Sequence, residues 1–377
     1  MRDSIRLGRI AGIEVGINWS WLIILVLILW TLAAGIFPAE NPGLADGTYL
    51  AMAAVAALLF FASLFMHELG HALTARREGM QIDGITLWLF GGVARFRGAF
   101  PTAGAEFRIA IAGPLVSVGL GGLFVAVAWA THPSRPVDGV ASWLGYINIV
   151  LAVFNLLPAQ PLDGGRVLHS ALWKIRGDLA AATRIAAHAG EALGYLMILG
   201  GLAMFVTLGA FGGAWLAFLG WFLLNAARGE ARAFLVREAL TGLRVANLMT
   251  PDPVTVERHA TLGEFMDGVA WRSRFTTYPV LDAGAVVGLL RFRDVVAVPR
   301  AEWDSHRVSE QMLGMDEVAV VGPWDAAPDA LDALAGTAAG RALVIDEEGR
   351  LAGLLSVSDV MRVIEARGVA GPSRSRA

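Results

Sequence analysis

The stretch Phe61-Ala62-Ser63-Leu64-Phe65-Met66-His67-Glu68-Leu69-Gly70-His71-Ala72-Leu73 is an apolar run with a His-Glu-x-x-His core inside it. On a helix, residues four apart return to nearly the same face, so His67 and His71 can offer two imidazoles to one metal ion. Glu68 lies one step further round, where a carboxylate can hold a water and take its proton. The motif is short, and its setting makes it informative. Ionisable groups inside a membrane-length apolar segment are costly and mark function. The plainer alternative is a helix whose two histidines only hydrogen-bond to neighbours.

Composition sets the frame. Of 377 residues, 56% are hydrophobic and 17% charged, with a mean hydropathy of +0.58. A chain this apolar is expected to be a polytopic α-helical membrane protein. The apolar character fills residues 17–225 and then gives way to mixed, charged sequence, so two domains are expected, 1–230 and 244–368, with a disordered tail at 369–377. The chain has no cysteine, which excludes disulfides and thiolate metal sites. A net charge of −3 gives no sign of a nucleic-acid surface.

Arg2, Arg6 and Arg9 precede the apolar run 17–37, which reads as a retained anchor rather than a cleaved signal. Further spans are expected at 49–75, 109–130, 143–157, 193–208 and 214–227, making about six. The loop 38–48 has no Lys or Arg, whereas Arg76, Arg77, Arg95, Arg97 and Arg108 cluster between the second and third spans. The positive-inside rule then puts the N-terminus, the arginine-rich loops and the C-terminal domain in the cytoplasm of a multi-pass cell-membrane protein.

Residues 80–98 do not read as a span. Ile85, Leu87 and Leu89 alternate with Thr86, Trp88 and Phe90, then Gly91-Gly92 supplies a turn, and Val93-Ala94-Arg95-Phe96 follows. Such an apolar hairpin is expected to dip into the membrane beside the helices, against protein or a water-filled cavity. Gly113, Gly119, Gly121 and Gly122 read as sites of close helix packing.

A second constellation closes the fourth span: Asn155-Leu156-Leu157-Pro158-Ala159-Gln160-Pro161-Leu162-Asp163-Gly164-Gly165-Arg166. The prolines end the helix, so Asp163 is expected on non-helical backbone, either as an N-cap for the next helix, as a metal ligand, or both. A ligand role is favoured because a hydrolytic zinc takes three protein ligands and the two histidines supply only two. Asp163 would emerge on the side where they lie, and its charge would offset the dication. Asn155 is either a helix-packing polar residue or a donor to a substrate carbonyl or developing oxyanion.

The two motifs together, His67-Glu68-x-x-His71 and Asn155-x-x-Pro158-x-x-x-x-Asp163-Gly164, resemble those of the site-2 protease family of intramembrane zinc metalloproteases, over roughly residues 1–230. The resemblance implies that His67, His71 and Asp163 bind one zinc ion and that Glu68 activates the water. It also implies that Asn155 steadies the substrate and that the Gly91-Gly92 segment belongs to a membrane-embedded β-loop beside the site.

After residue 244 the chain repeats. Val280-Leu281-Asp282, Gly288-Leu289-Leu290 and Asp294-Val295 recur as Val344-Ile345-Asp346, Gly353-Leu354-Leu355 and Asp359-Val360, which means two copies of one supersecondary unit. With Met249-Thr250-Pro251, this resembles a tandem pair of CBS domains, about 244–303 and 304–368. The resemblance implies an adenine nucleotide at Ser356 and Asp359, of Ser356-x-x-Asp359. In the first copy Arg291 stands where a hydroxyl is expected, so two equivalent sites are not expected, and a purely structural or homodimer-forming module is the alternative.

The expected function is hydrolysis of a peptide bond within or near a transmembrane segment of a single-span membrane protein in contact with lipid, under regulation by the cytoplasmic pair. The alternative is a CBS-regulated transporter or channel, which would spread polar residues over several spans. Spans one, three and six are almost wholly apolar. A third reading, an inactive binding scaffold, loses ground because both histidines, Glu68 and Asp163 are present.

Overall fold

A computed structural model describes residues 4–88, 91–96, 98–273, 275–337 and 339–367. Leu89, Phe90 and the expected disordered tail lie outside the described residues. Contacts divide the chain into Met1–Ala231 and Arg232–Ala377.

In the first unit, five helices are long and apolar enough to cross a membrane by length and composition, among the described residues. Four of them are α1 (Trp21–Glu40), α2 (Asp46–Arg77), α3 (Ala103–Thr131) and α4 (Arg135–Asn155). A shorter helix, α5 (Asp163–Arg176), separates these from the fifth, α6 (Leu179–Leu208). The sixth expected span falls within α7 (Phe211–Leu240), which is not among the five. Its apolar part stops at Ala227, and Arg228, Glu230 and Arg232 follow.

Small residues set the helix spacing. In α2, Ala53, Ala56 and Ala57 are buried and share a core with Leu32, Phe37, Val140 and Leu144 or lie beside it. A Cβ at Gly121 would stand 2.8 Å from Ile149 Cδ1, and one at Gly145 2.8 Å from Val125 Cγ2, so α3 and α4 meet closely. In α6 and α7, a Cβ at Gly201 would stand 2.5 Å from Gly213 O. Gly119 and Gly122 have nothing within 4 Å, so the packing role expected of them is not fulfilled.

A four-stranded sheet lies on α2, in the order β1 (Ser4–Ile10), β2 (Ile13–Asn18), β3 (Ile82–Trp88), β4 (Gly91–Phe96). The expected hairpin is β3–β4, but Gly91-Gly92 is not its turn. Both glycines already belong to β4, with Trp88 opposite Gly91 and Leu87 opposite Gly92. The β1–β2 hairpin was not expected from the sequence. Its tight turn is Ala11-Gly12, both at positive φ (+52° and +80°), the conformation that matches strand twist in a two-residue hairpin. β2 runs parallel to β3, with Val15 opposite Ile85 and Ile17 opposite Leu87. Ile13 and Ile85 close over Ala72, and Leu87 over Phe61 and Leu64.

The second unit holds two more sheets. One has the order β10 (Ala319–Val321), β11 (Arg341–Ile345), β12 (Leu351–Ser356), β5 (Thr250–Pro251). The other has the order β6 (Val256–Glu257), β7 (Thr277–Asp282), β8 (Ala285–Arg291), β9 (Leu313–Gly314). Each sheet borrows a strand from the other copy, and the repeated glycines mark the crossings. A Cβ at Gly288 would sit 2.2 Å from Leu313 O, and one at Gly353 would sit 2.9 Å from Thr250 O.

Candidate metal centre

Three side chains from two distant segments converge. Asp163 Oδ2 is 3.2 Å from His67 Nε2 and 3.3 Å from His71 Nε2, and the two Nε2 atoms are 3.2 Å apart. Donor atoms at ~2.0–2.1 Å around a tetrahedral ion stand roughly 3.3 Å from one another. The triangle therefore fits one such ion, and two neutral imidazoles with one carboxylate are a donor set that zinc accepts in catalytic sites. No other group of three or more His, Asp or Glu residues among the described residues converges in this way.

α3 orients both rings. His71 Nδ1–H donates to the Ile109 carbonyl at 2.7 Å, and His67 Nδ1 lies 2.9 Å from Ser117 Oγ. The carbonyl fixes the proton of His71 on Nδ1 and leaves its Nε2 lone pair free for a ligand, and with Nδ1 of His67 bonded to the hydroxyl, its Nε2 is the nitrogen that faces the triangle. Gly113 lies against these rings. A Cβ there would stand 2.2 Å from His71 Nε2 and 2.6 Å from His67 Nε2. Gly113 thus lets α3 come close to α2, and the neighbours it makes room for are the two imidazoles.

Asp163 is delivered by a chain reversal. α4 ends at Asn155, and α5 begins at Asp163 with Leu162 as its N-cap. The carboxylate is therefore neither on non-helical backbone nor the cap, because it turns to the imidazoles instead. Gly164 and Gly165 allow the reversal: a Cβ at the first would be 2.2 Å from Leu156 O, and at the second 2.3 Å from Gln160 N.

A cavity of about 700 Å³ opens beside the triangle, lined by Glu68, Gly92, Asn155 and Arg166 among others. Glu68 packs under β4, where a Cβ at Gly92 would stand 2.3 Å from its Cγ. β4 is the edge of its sheet. Arg166, one turn after Asp163, lies 5.3 Å over the Phe100 ring and 3.3 Å from Glu230.

A second buried polar cluster joins three helices. His169 Nδ1 is 2.8 Å from Glu106 Oε2, and its Nε2 is 2.9 Å from Thr183 Oγ1. It ties α3, which orients the rings, to α5, which carries Asp163. Ser117, the contact of Gly113 with the imidazoles and this cluster were not expected from the sequence. The spacing Gly113-x-x-x-Ser117 on one helix face, a hydroxyl in an apolar span, was the available signal for the first two.

The family profiles agree with these motifs. Peptidase family M50 matches residues 55–134 and 130–199, and the CBS domain matches residues 245–300 and 316–366. The zinc metalloprotease Rip3 of Mycobacterium tuberculosis is 38% identical over 99% of this chain and 95% of its own. The chain belongs to the site-2 protease family, peptidase family M50. Zinc metalloprotease MJ0392 of Methanocaldococcus jannaschii is 30% identical over 97% of each chain. The solved site-2 protease from the same archaeon is 31% identical, covers 60% of this chain and 95% of that one, and has a TM-score of 0.43. This M50 member is accordingly a zinc metalloprotease with a tandem CBS module, and the transporter reading is set aside.

Within that module, Ser356 and Asp359 bond to each other: Ser356 Oγ accepts from the Asp359 amide and the Asp359 carboxylate from the Ser356 amide, capping helix Val357–Ala366. In the first copy Arg291 is paired with Asp294.

Proposed function

We propose that the chain cleaves a peptide bond within or beside a transmembrane segment of a single-span membrane protein, with one zinc ion held by His67, His71 and Asp163. The observation that carries this reading is the convergence of those three donors beside Glu68 at a cavity flanked by an open sheet edge. When bound, zinc supplies Lewis-acid polarisation of the scissile carbonyl and acidifies the attacking water.

Glu68 then does the proton work. Its carboxylate takes the proton as the water oxygen bonds to the carbonyl carbon, and returns it to the amide nitrogen as the C–N bond breaks. Asn155 donates from its side-chain amide to the substrate carbonyl oxygen, where negative charge develops. The substrate must be unwound, because a helical peptide bond is shielded by its own turn. β4, starting at Gly91 and Gly92, offers the unwound stretch a free strand edge for pairing.

The distribution of arginines supports a cytoplasmic N-terminus and CBS module. The module is a candidate regulator, through one adenine nucleotide at Ser356 and Asp359 or through pairing of two chains. Since those side chains already cap a helix, nucleotide contact must compete with that bond.

The test is cleavage of a single-span model substrate in detergent by the zinc-loaded protein and its Glu68→Gln variant. The variant should keep its zinc and lose turnover. Turnover at the wild-type rate would exclude Glu68 as the proton acceptor.

A further inference from the structure

The cluster of His169, Glu106 and Thr183 does not line the cavity, and the peptide-bond chemistry does not use it. All three side chains are buried, at 7%, 3% and 4% exposure, so solvent does not replace the bonds between them. Thr183 Oγ1 has a single hydrogen and donates it to the Leu179 carbonyl at 2.9 Å. Toward His169 it can therefore only accept, which places a hydrogen on His169 Nε2, 2.9 Å away. Nδ1 is left facing Glu106 Oε2 at 2.8 Å, and the two share a proton.

Each partner of the ring leads to a different part of the metal centre. On α3, Glu106, Ile109, Gly113 and Ser117 follow at intervals of three, four and four, along one face of the helix. Ile109 and Ser117 hold the two imidazoles, and Gly113 lies against them. On α6, Thr183, Ala186 and Gly190 are likewise three and four apart. The Gln160 amide donates to the Ala186 carbonyl at 3.4 Å, and a Cβ at Gly190 would stand 2.1 Å from Gln160 O. This face of α6 therefore backs the chain reversal that ends at Asp163. His169 itself is six residues after Asp163 on α5.

A carboxylate and an imidazole are a costly way to pack helices, because burial strips their hydration and an apolar pair would avoid that loss. What they add is register. A hydrogen bond of this kind is confined to about half an ångström in length, a tolerance of the same order as the roughly 0.2 Å that metal ligands allow. Two bonds to one ring fix α5 against α3 and α6 together.

We propose that His169 is a positioning residue for the metal centre and that Glu106 is its partner. The bond between them sets the Asp163 carboxylate against the two imidazoles, and Thr183 turns Nδ1 toward Glu106. The inference rests on zinc being held by His67, His71 and Asp163, and adds the pair that keeps the third donor in register with the other two.

The test uses the 377-residue chain in detergent. Zinc affinity from a graded chelator series, the visible spectrum of the cobalt-substituted protein and the melting temperature with and without zinc are measured for Glu106→Ala, His169→Asn and His169→Gln. An Asn amide nitrogen takes the place of Nδ1 and keeps the bond to Glu106, whereas a Gln amide nitrogen takes that of Nε2 and keeps only the bond to Thr183. Glu106→Ala and His169→Gln should hold zinc about tenfold more weakly and shift the cobalt bands. His169→Asn should stay near wild type in both. A cluster that only packs helices would lower the melting temperature equally with and without zinc and leave affinity and spectrum unchanged, which would overturn the proposal. Equal zinc affinity in His169→Asn and His169→Gln would overturn it too, and decides the matter if Glu106→Ala does not fold. A wild type that binds no zinc would overturn the metal-centre reading and this proposal with it. Zinc held by wild type and lost from Asp163→Ala upholds that reading even where the proposal fails.

Discussion

Substituting Gly113 by Ala tests whether the imidazoles stand where the structure has them. The added Cβ would lie 2.2 Å from His71 Nε2 and 2.6 Å from His67 Nε2, whereas side-chain Cβ atoms essentially never come within 3.0 Å of another atom. His71 Nε2 must retreat about 0.8 Å and His67 Nε2 about 0.4 Å to reach that limit. Ligand positions tolerate displacements of only about 0.2 Å. Neither ring can simply slide away, because Ser117 and Ile109 hold the opposite nitrogens. Loss of a supporting partner alone costs about 10–100-fold in metal affinity. Displacement of two ligands should cost at least the upper end of that range, about 2.7 kcal/mol. The assay is zinc per chain after equilibration against a graded chelator series, with Gly119→Ala as the control. Gly119 is on the same helix with nothing within 4 Å of its Cβ, so the control should bind like wild type. If Gly113→Ala holds zinc against the same chelator concentration as wild type, the placement of the two rings is wrong.

Three further outcomes follow from particular contacts. Ser117→Ala removes the partner of His67 Nδ1 and should weaken zinc retention by about 10–100-fold, measured in the same chelator series. Gly92→Ala puts a methyl group 2.3 Å from Glu68 Cγ; it should cut kcat about tenfold or more while zinc content stays at one per chain, and a drop in both would mean that the substitution disturbs the ligands as well. His306 is raised above its ordinary value of 6.5 by its bond to Glu310 and, further off, by Glu302. Its contribution to stability is full below that ordinary value and fades as pH rises through the raised one. The His306 ring should titrate above a free histidine by NMR and move back toward it in Glu310→Gln.

The parts of the site that could be read from the sequence are those fixed by local spacing. His67 and His71 are four apart, and the helix does the rest. Asp163 was legible because Pro158, Pro161 and Gly164-Gly165 mark a chain break at the right end of a span, although the next helix, expected from Gly165, begins two residues earlier and makes Asp163 its first residue. The CBS pair was legible because a repeat displays itself. What stayed hidden depends on contacts between segments far apart in sequence. Ser117 and the Ile109 carbonyl are 50 and 38 residues from their histidines, and Glu106 is 63 residues from His169. The β1–β2 hairpin was masked because Ala11-Gly12 is a weak turn signal beside Asn-Gly, and because the following apolar run dominates the reading. Gly91-Gly92 looked like a turn for the opposite reason: glycines also serve where a strand must pass close to a side chain, here Glu68.

The central claim is that one ion joins α2 to the start of α5. Zinc per chain, measured by elemental analysis on the purified 377-residue chain and on Asp163→Ala prepared identically, tests it most directly. The account predicts one zinc per wild-type chain and substantial loss from the variant. An Asp163→Ala protein that retains a full equivalent would contradict it.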